Sequence, residues 1–108
     1  MFRELERKQK SISSEECIEL LTNETRGVLS VLGDDDYPYG MPLNHYYDEE
    51  SGNIYFHTGD ALSHRTDALK KHDKVSFCCY NQGHRAEDQW AYQVKSVIVF
   101  GRISFIND

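Results

Sequence analysis

Residues Asn53 to Leu69 read NIYFHTGDALSHRTDAL, and the division of this stretch decides the fold. Asn53 to Thr58 reads as a short strand, Gly59-Asp60 as a tight turn, and a helix opens near Ser63 and runs to about His72. Leu62 and Leu69 lie inward on that helix. Asp67 comes early and Lys70-Lys71-His72 late, the charge order that the helix dipole favours. A helix start exposes unpaired backbone N–H groups, and here the opening turn adds the hydroxyl of Ser63, the imidazole of His64 and the guanidinium of Arg65. Together these form a candidate phosphate pocket. An ordinary capped helix with solvent-facing polar residues accounts for the same opening turn.

Working outward toward the N-terminus, Ser51-Gly52-Asn53 closes a turn that begins at Asp48. Tyr37 to Tyr47 precedes it as a strand with Tyr39, Met41, Leu43, His45 and Tyr47 on one face and Gly40, Pro42, Asn44 and Tyr46 on the other. Pro42 cannot donate to a ladder. Its position is therefore expected at an edge, at a bulge, or beside something other than a strand. Thr25 to Leu32 is the hairpin partner, closed by Gly33 and the acidic turn Asp34-Asp35-Asp36. Before it, Ser13-Ser14-Glu15-Glu16 marks a helix start with a capping box, and Ile18, Leu20 and Leu21 form its apolar stripe. Residues 1–12 are dense in charge and read as a flexible arm ahead of one domain, 13–108.

Toward the C-terminus, Lys74 to Tyr80 alternates as a strand, Asn81 to Gln89 is a polar loop, and Trp90 to Ile106 reads as one long strand. Ser96 to Phe100 is apolar on both faces, so one face fills the interior and the other lies under a helix or a second subunit. Gly101 suggests a bulge or a barrel corner. Five or six antiparallel strands, an N-terminal helix and one crossing helix make an α+β small barrel. The chain stops at Asp108 straight after a strand, which leaves open a continuation of the domain.

Composition narrows the function. The 108 residues carry a formal net charge of −6, with 18 acidic against 12 basic side chains, which excludes the basic surface that nucleic acid demands. No apolar run approaches the roughly 20 residues of a membrane span. Three cysteines, two of them adjacent as Cys78-Cys79, make no disulfide framework and point to reduced thiols in a cytoplasmic protein. The spacing of His45, His57, His64, His72 and His84 matches no zinc pattern, so no metal is expected. Cys79, on the face of Val75 and Phe77, reads as inert core.

Two further groups bear on a ligand. Met41-Pro42-Leu43-Asn44 and Phe56-His57-Thr58 could offer backbone groups, an amide, an imidazole and a hydroxyl to a flat heterocycle. Asn44 as a cross-strand partner and His57 as a half-buried sheet histidine are the plainer alternatives. Lys95-Ser96 opens the apolar strand, where a lysine can also serve only as an edge gatekeeper.

The series GVLSVLGDDDYPYGMPLNHYYDEESGNIYFHTGDALSHRTDALKKHDKVSF, followed by YQVKSVIVFGRISFIND, resembles the pyridoxamine 5'-phosphate oxidase-like FMN-binding split barrels, and within them the nitroimidazole-resistance branch. The resemblance implies a split-barrel homodimer with FMN in clefts at the subunit interface. It places Met41, Pro42, Leu43 and Asn44 along the isoalloxazine with His57 and Thr58 beside it. Ser63, His64 and Arg65 then hold the phosphate, and Lys95 and Ser96 reach in from the last strand. It also implies an FMN-dependent oxidoreductase that passes electrons from a reduced nicotinamide to a small acceptor, nitro-aromatic or pyridoxal-like, with His57 as the proton donor. The alternative is a dimer that binds flavin or haem without turnover, haem requiring an axial histidine. Relatives commonly show Gly-His-Lys where this chain has Ser63-His64-Arg65, and they continue past Asp108 through another helix and strand.

Overall fold

The computed structural model describes residues 12–56, 71–83, 87 and 94–104, the Asp34 side chain excepted. In chain order these form helix α1 (Ser14–Asn23) and strands β1 (Arg26–Leu32), β2 (Pro38–Asp48), β3 (Asn53–Phe56), β4 (Lys74–Tyr80) and β5 (Ser96–Arg102). The strands make one curled antiparallel sheet, a half-barrel in the order β3-β2-β1-β4-β5, with α1 on its inner face. The crossing helix expected from Ser63 to His72 falls almost wholly outside the described residues, as does the arm at residues 1–11.

Helix α1 starts where its capping box predicts. The Glu16 N–H donates to Ser13 Oγ at 3.1 Å, and the Ser13 N–H donates to Glu16 Oε1 at 3.3 Å, so two donors of the first turn are satisfied locally. Leu20 and Leu21 on its inward side pack on Leu29, Val31, Met41, Leu43, Phe77 and Cys79. This core joins one apolar stripe of a helix to alternate residues of three strands, the pattern that periodicities of 3.6 and 2 produce when they meet. Gly27 lies at its tightest point. A Cβ there would collide with the Phe77 ring and the Cys78 carbonyl, so β1 and β4 approach closely because residue 27 has no side chain.

The β1–β2 hairpin turns through Asp34–Asp36, with Asp35 and Asp36 in left-handed backbone at φ of 55° and 61°, a conformation aspartate tolerates. The Gly33 N–H closes it on the Tyr37 carbonyl at 2.8 Å.

The last strand departs from expectation in two ways. It runs only from Ser96 to Arg102, not from Trp90 to Ile106; Val94, Lys95, Ile103 and Ser104 lie outside it, and residues 90–93 and 105–108 are outside the described set. Gly101 makes neither bulge nor corner: it pairs with Val75 in a ladder whose register is unbroken from Lys74↔Arg102 to Tyr80↔Ser96. The absent side chain leaves a bare spot on a regular strand. Val97 and Val99 pack against the core, whereas Ile98 and Phe100, 58 % and 56 % exposed, stand on the other face. No helix among the described residues is long and apolar enough to cross a membrane.

Candidate functional site

The site is built on β2, and the hydrogen-bond phase of that strand decides what each residue can offer. The His45 N–H donates to the Thr25 carbonyl at 2.9 Å, and the Gly33–Tyr37 bond has the same phase. With the register Leu29↔Met41 and Val28↔Pro42, the odd-numbered residues of β2 exchange ladder bonds with β1, and the even-numbered ones direct their backbone groups away from it. On that far side β3 pairs only with residues 45–48. The outward backbone groups of Gly40, Pro42 and Asn44 meet no strand among the described residues, of which β3 supplies those up to Phe56, opposite His45. Pro42 turns the side that lacks an N–H away from β1, so the β1–β2 ladder loses no bond and needs no bulge.

The quartet expected along a ring system divides in two. Met41 and Leu43 are 2 % and 8 % exposed, with side chains in the core and backbone groups turned toward β1. Pro42 and Asn44 are exposed, with backbone groups turned away from β1. A ligand beside β2 would meet the Pro42 carbonyl and ring and the Asn44 backbone and amide, and Met41 and Leu43 only through the chain they anchor.

Lys95 and Ser96 also separate. The Ser96 residue pairs with Tyr80 and shares the sheet face of Pro42 and Asn44. The Lys95 ammonium lies 2.7 Å from Glu16 Oε2 at the start of α1, while its N–H donates to Asn81 Oδ1 at 3.1 Å. This pair lowers the Glu16 carboxyl and raises the Lys95 ammonium, in both cases first through their mutual hydrogen bond. Both groups are well solvated, so the pair is weak and exchangeable. His57, Thr58, Ser63, His64 and Arg65 lie outside the described residues.

Two residues beside Asn44 were not singled out by sequence reading. Arg26, opposite Asn44, donates from Nε to Asn44 Oδ1 at 3.1 Å. His45 is buried, its Nε2 2.9 Å from the Leu21 carbonyl and its ring edge-on to Phe77 at 4.8 Å. A register between the hairpin strands would have exposed the first, since it places Arg26 and Asn44 side by side. The second signal was present as a histidine within an apolar alternation.

The family model for pyridoxamine 5'-phosphate oxidase matches residues 13–108. The chain belongs to that family. No match was found among curated proteins or among solved structures. The half-barrel with its helix on the inner face is the architecture that the resemblance implied, and residues 13–108 include every position assigned to the site.

Proposed function

We propose that the protein binds FMN along β2 at Pro42–Asn44 and acts as an oxidoreductase, carrying electrons from a reduced nicotinamide to a small acceptor. The observation that carries this reading is the exposure of Pro42 and Asn44 on β2, with a proline at a position where β1 uses no donor. Family membership supports the same cofactor.

The donor set fits a flat heterocycle. Asn44 offers an exposed amide and outward backbone groups, Pro42 a carbonyl and an apolar ring, and the buried Met41 and Leu43 hold the strand rigid behind them. When bound, the flavin supplies reversible two-electron chemistry. The protein's part is to bind and orient. Ser63, His64 and Arg65 are assigned to the phosphate and Thr58 to the ring's side. His57, the residue after β3, is assigned to proton donation, since an imidazole of ordinary pKa near 6.5 suits transfer at neutral pH. Lys95 would serve the phosphate after leaving Glu16, an exchange that costs little for so exposed a pair.

A homodimer belongs to this reading. Pro42 and Asn44 on β2 and Ser96 on β5 share a face but stand three strand spacings apart, roughly 14 Å. One flat ring cannot touch both from a single chain; a cleft between two copies closes the gap. Exposed Ile98 and Phe100 supply apolar surface for it. The three free thiols support a reducing compartment such as the cytoplasm. The likeness to the nitroimidazole-resistance branch suggests a nitro-aromatic or pyridoxal-like acceptor.

The test is an FMN titration of the full chain beside Arg65→Ala. Losing one charge-assisted phosphate contact is expected to cost about 1.5–3 kcal/mol, about ten- to a hundred-fold in affinity. Equal affinities would overturn the assignment.

A further inference from the structure

Residue 45 is gripped twice. Its backbone N–H donates to the Thr25 carbonyl at 2.9 Å, and its ring Nε2 lies 2.9 Å from the Leu21 carbonyl. These two carbonyls stand on either side of the turn from α1 into β1, so one residue of β2 holds both ends of that turn. The ring is buried on the core face, edge-on to Phe77. A carbonyl only accepts, so the neutral ring carries its proton on Nε2. Its Nδ1 is then a buried acceptor with no partner among the described residues. That unpaired acceptor offsets much of what the Nε2 bond contributes, and the buried Met41 and Leu43 fill the same face of β2 without such a cost. Packing alone therefore does not account for an imidazole at this position, whereas a directed bond does.

We infer that His45 is a positioning residue for Asn44: its bond to the Leu21 carbonyl fixes the peptide that joins residues 44 and 45, and with it the direction in which Asn44 presents its amide. Asn44 needs this support. Its own backbone groups are directed away from β1, so the backbone of β1 holds it only through its neighbours. Leu43 is held by burial and His45 by its two hydrogen bonds. With the chain set, the Arg26 Nε–H aligns Asn44 Oδ1 at 3.1 Å. A group that meets a ligand is thereby supported from behind by residues that do not touch it. The effect on FMN affinity rests on the flavin reading; the effect on the Asn44 amide does not.

The experiment compares His45→Gln, which can return an N–H to the Leu21 carbonyl, with His45→Leu, which fills the core and cannot. Nuclear magnetic resonance of the nitrogen-labelled full chain is expected to show the wild-type ring protonated on Nε2 and not on Nδ1. The side-chain amide signals of Asn44 are expected to move in His45→Leu and to return toward their wild-type positions in His45→Gln. FMN titration is expected to follow them, at least about ten-fold weaker in His45→Leu and within about three-fold of wild type in His45→Gln. Asn44 signals unmoved in a folded His45→Leu, or displaced alike in both variants, would overturn the positioning role, as would a wild-type ring protonated on Nδ1 alone. Should His45→Leu fail to fold, His45→Gln decides: Asn44 signals near wild type support the role, and displaced ones overturn it. A wild-type chain that takes up no FMN while the Asn44 amide tracks the Nε2 bond keeps the role and loses only the flavin reading.

Discussion

Cys78 and Cys79 are neighbours in β4, yet they belong to different environments. Cys79 is 0 % exposed, its Sγ 3.8 Å from the Leu20 carbonyl beneath α1. Cys78 is half-buried on the opposite face, paired with Ile98. The same division runs through β2, where Met41, Leu43 and His45 are buried and Pro42, Asn44 and Tyr46 exposed. One face of the sheet holds the fold together. The other face carries the exposed residues that the proposal assigns to a flavin and a second copy, one residue of strand phase away from the core.

The largest effect that sharpens this contrast belongs to the core. Leu29, 1 % exposed, is expected to cost about 2–5 kcal/mol when replaced by alanine, read by chemical denaturation. Val28→Ala, one residue away on the open face, is expected to cost much less. Similar losses at both positions would break the comparison.

Next comes association. The wild-type chain is expected to sediment as a dimer at micromolar concentration. Ile98→Asp, which sets a charge in the apolar face, is expected to raise the dissociation constant roughly thirty-fold or more with no loss of helix or sheet signal. A monomeric wild type would mean that Ile98 and Phe100 face water.

The smallest effect is one of pH. Burial pushes the Cys79 thiol from its ordinary 9.0 to about 11. The folded-state value is raised, so the contribution to stability is complete below pH 9. It is lost as the pH rises toward 11, where the unfolded chain releases a proton that the folded chain retains. The difference between wild type and Cys79→Val across that window isolates the effect. In the native protein a thiol reagent is expected to modify Cys78 well before Cys79; equal rates would deny the separation of faces.

These faces also explain what could be read in advance. The capping box at Ser13 and Glu16, the alternation in β1, β2 and β4, and the core position of Cys79 are local patterns, and local geometry obeys them. Pro42 announced a position whose N–H the ladder does not use, and its backbone is turned away from β1. The length of β5 was misread because Trp90 to Ile106 stays rich in strand-forming residues, whereas the ladder ends where β4 ends, at Lys74 and Tyr80. Gly101 was read as a bend because propensity does not show that a neighbour keeps register through it. Arg26 was missed because its meaning comes from a partner 18 residues away. Lys95 was assigned to a phosphate without sight of Glu16, since the approach of α1 to the start of β5 is tertiary.

The most direct test of the central claim is the absorption spectrum of the purified full chain after equilibration with FMN and removal of unbound flavin. One FMN per chain, retained by the native protein and released on denaturation, is the predicted result. A colourless chain that retains no FMN would contradict the assignment of Pro42 and Asn44 to a flavin.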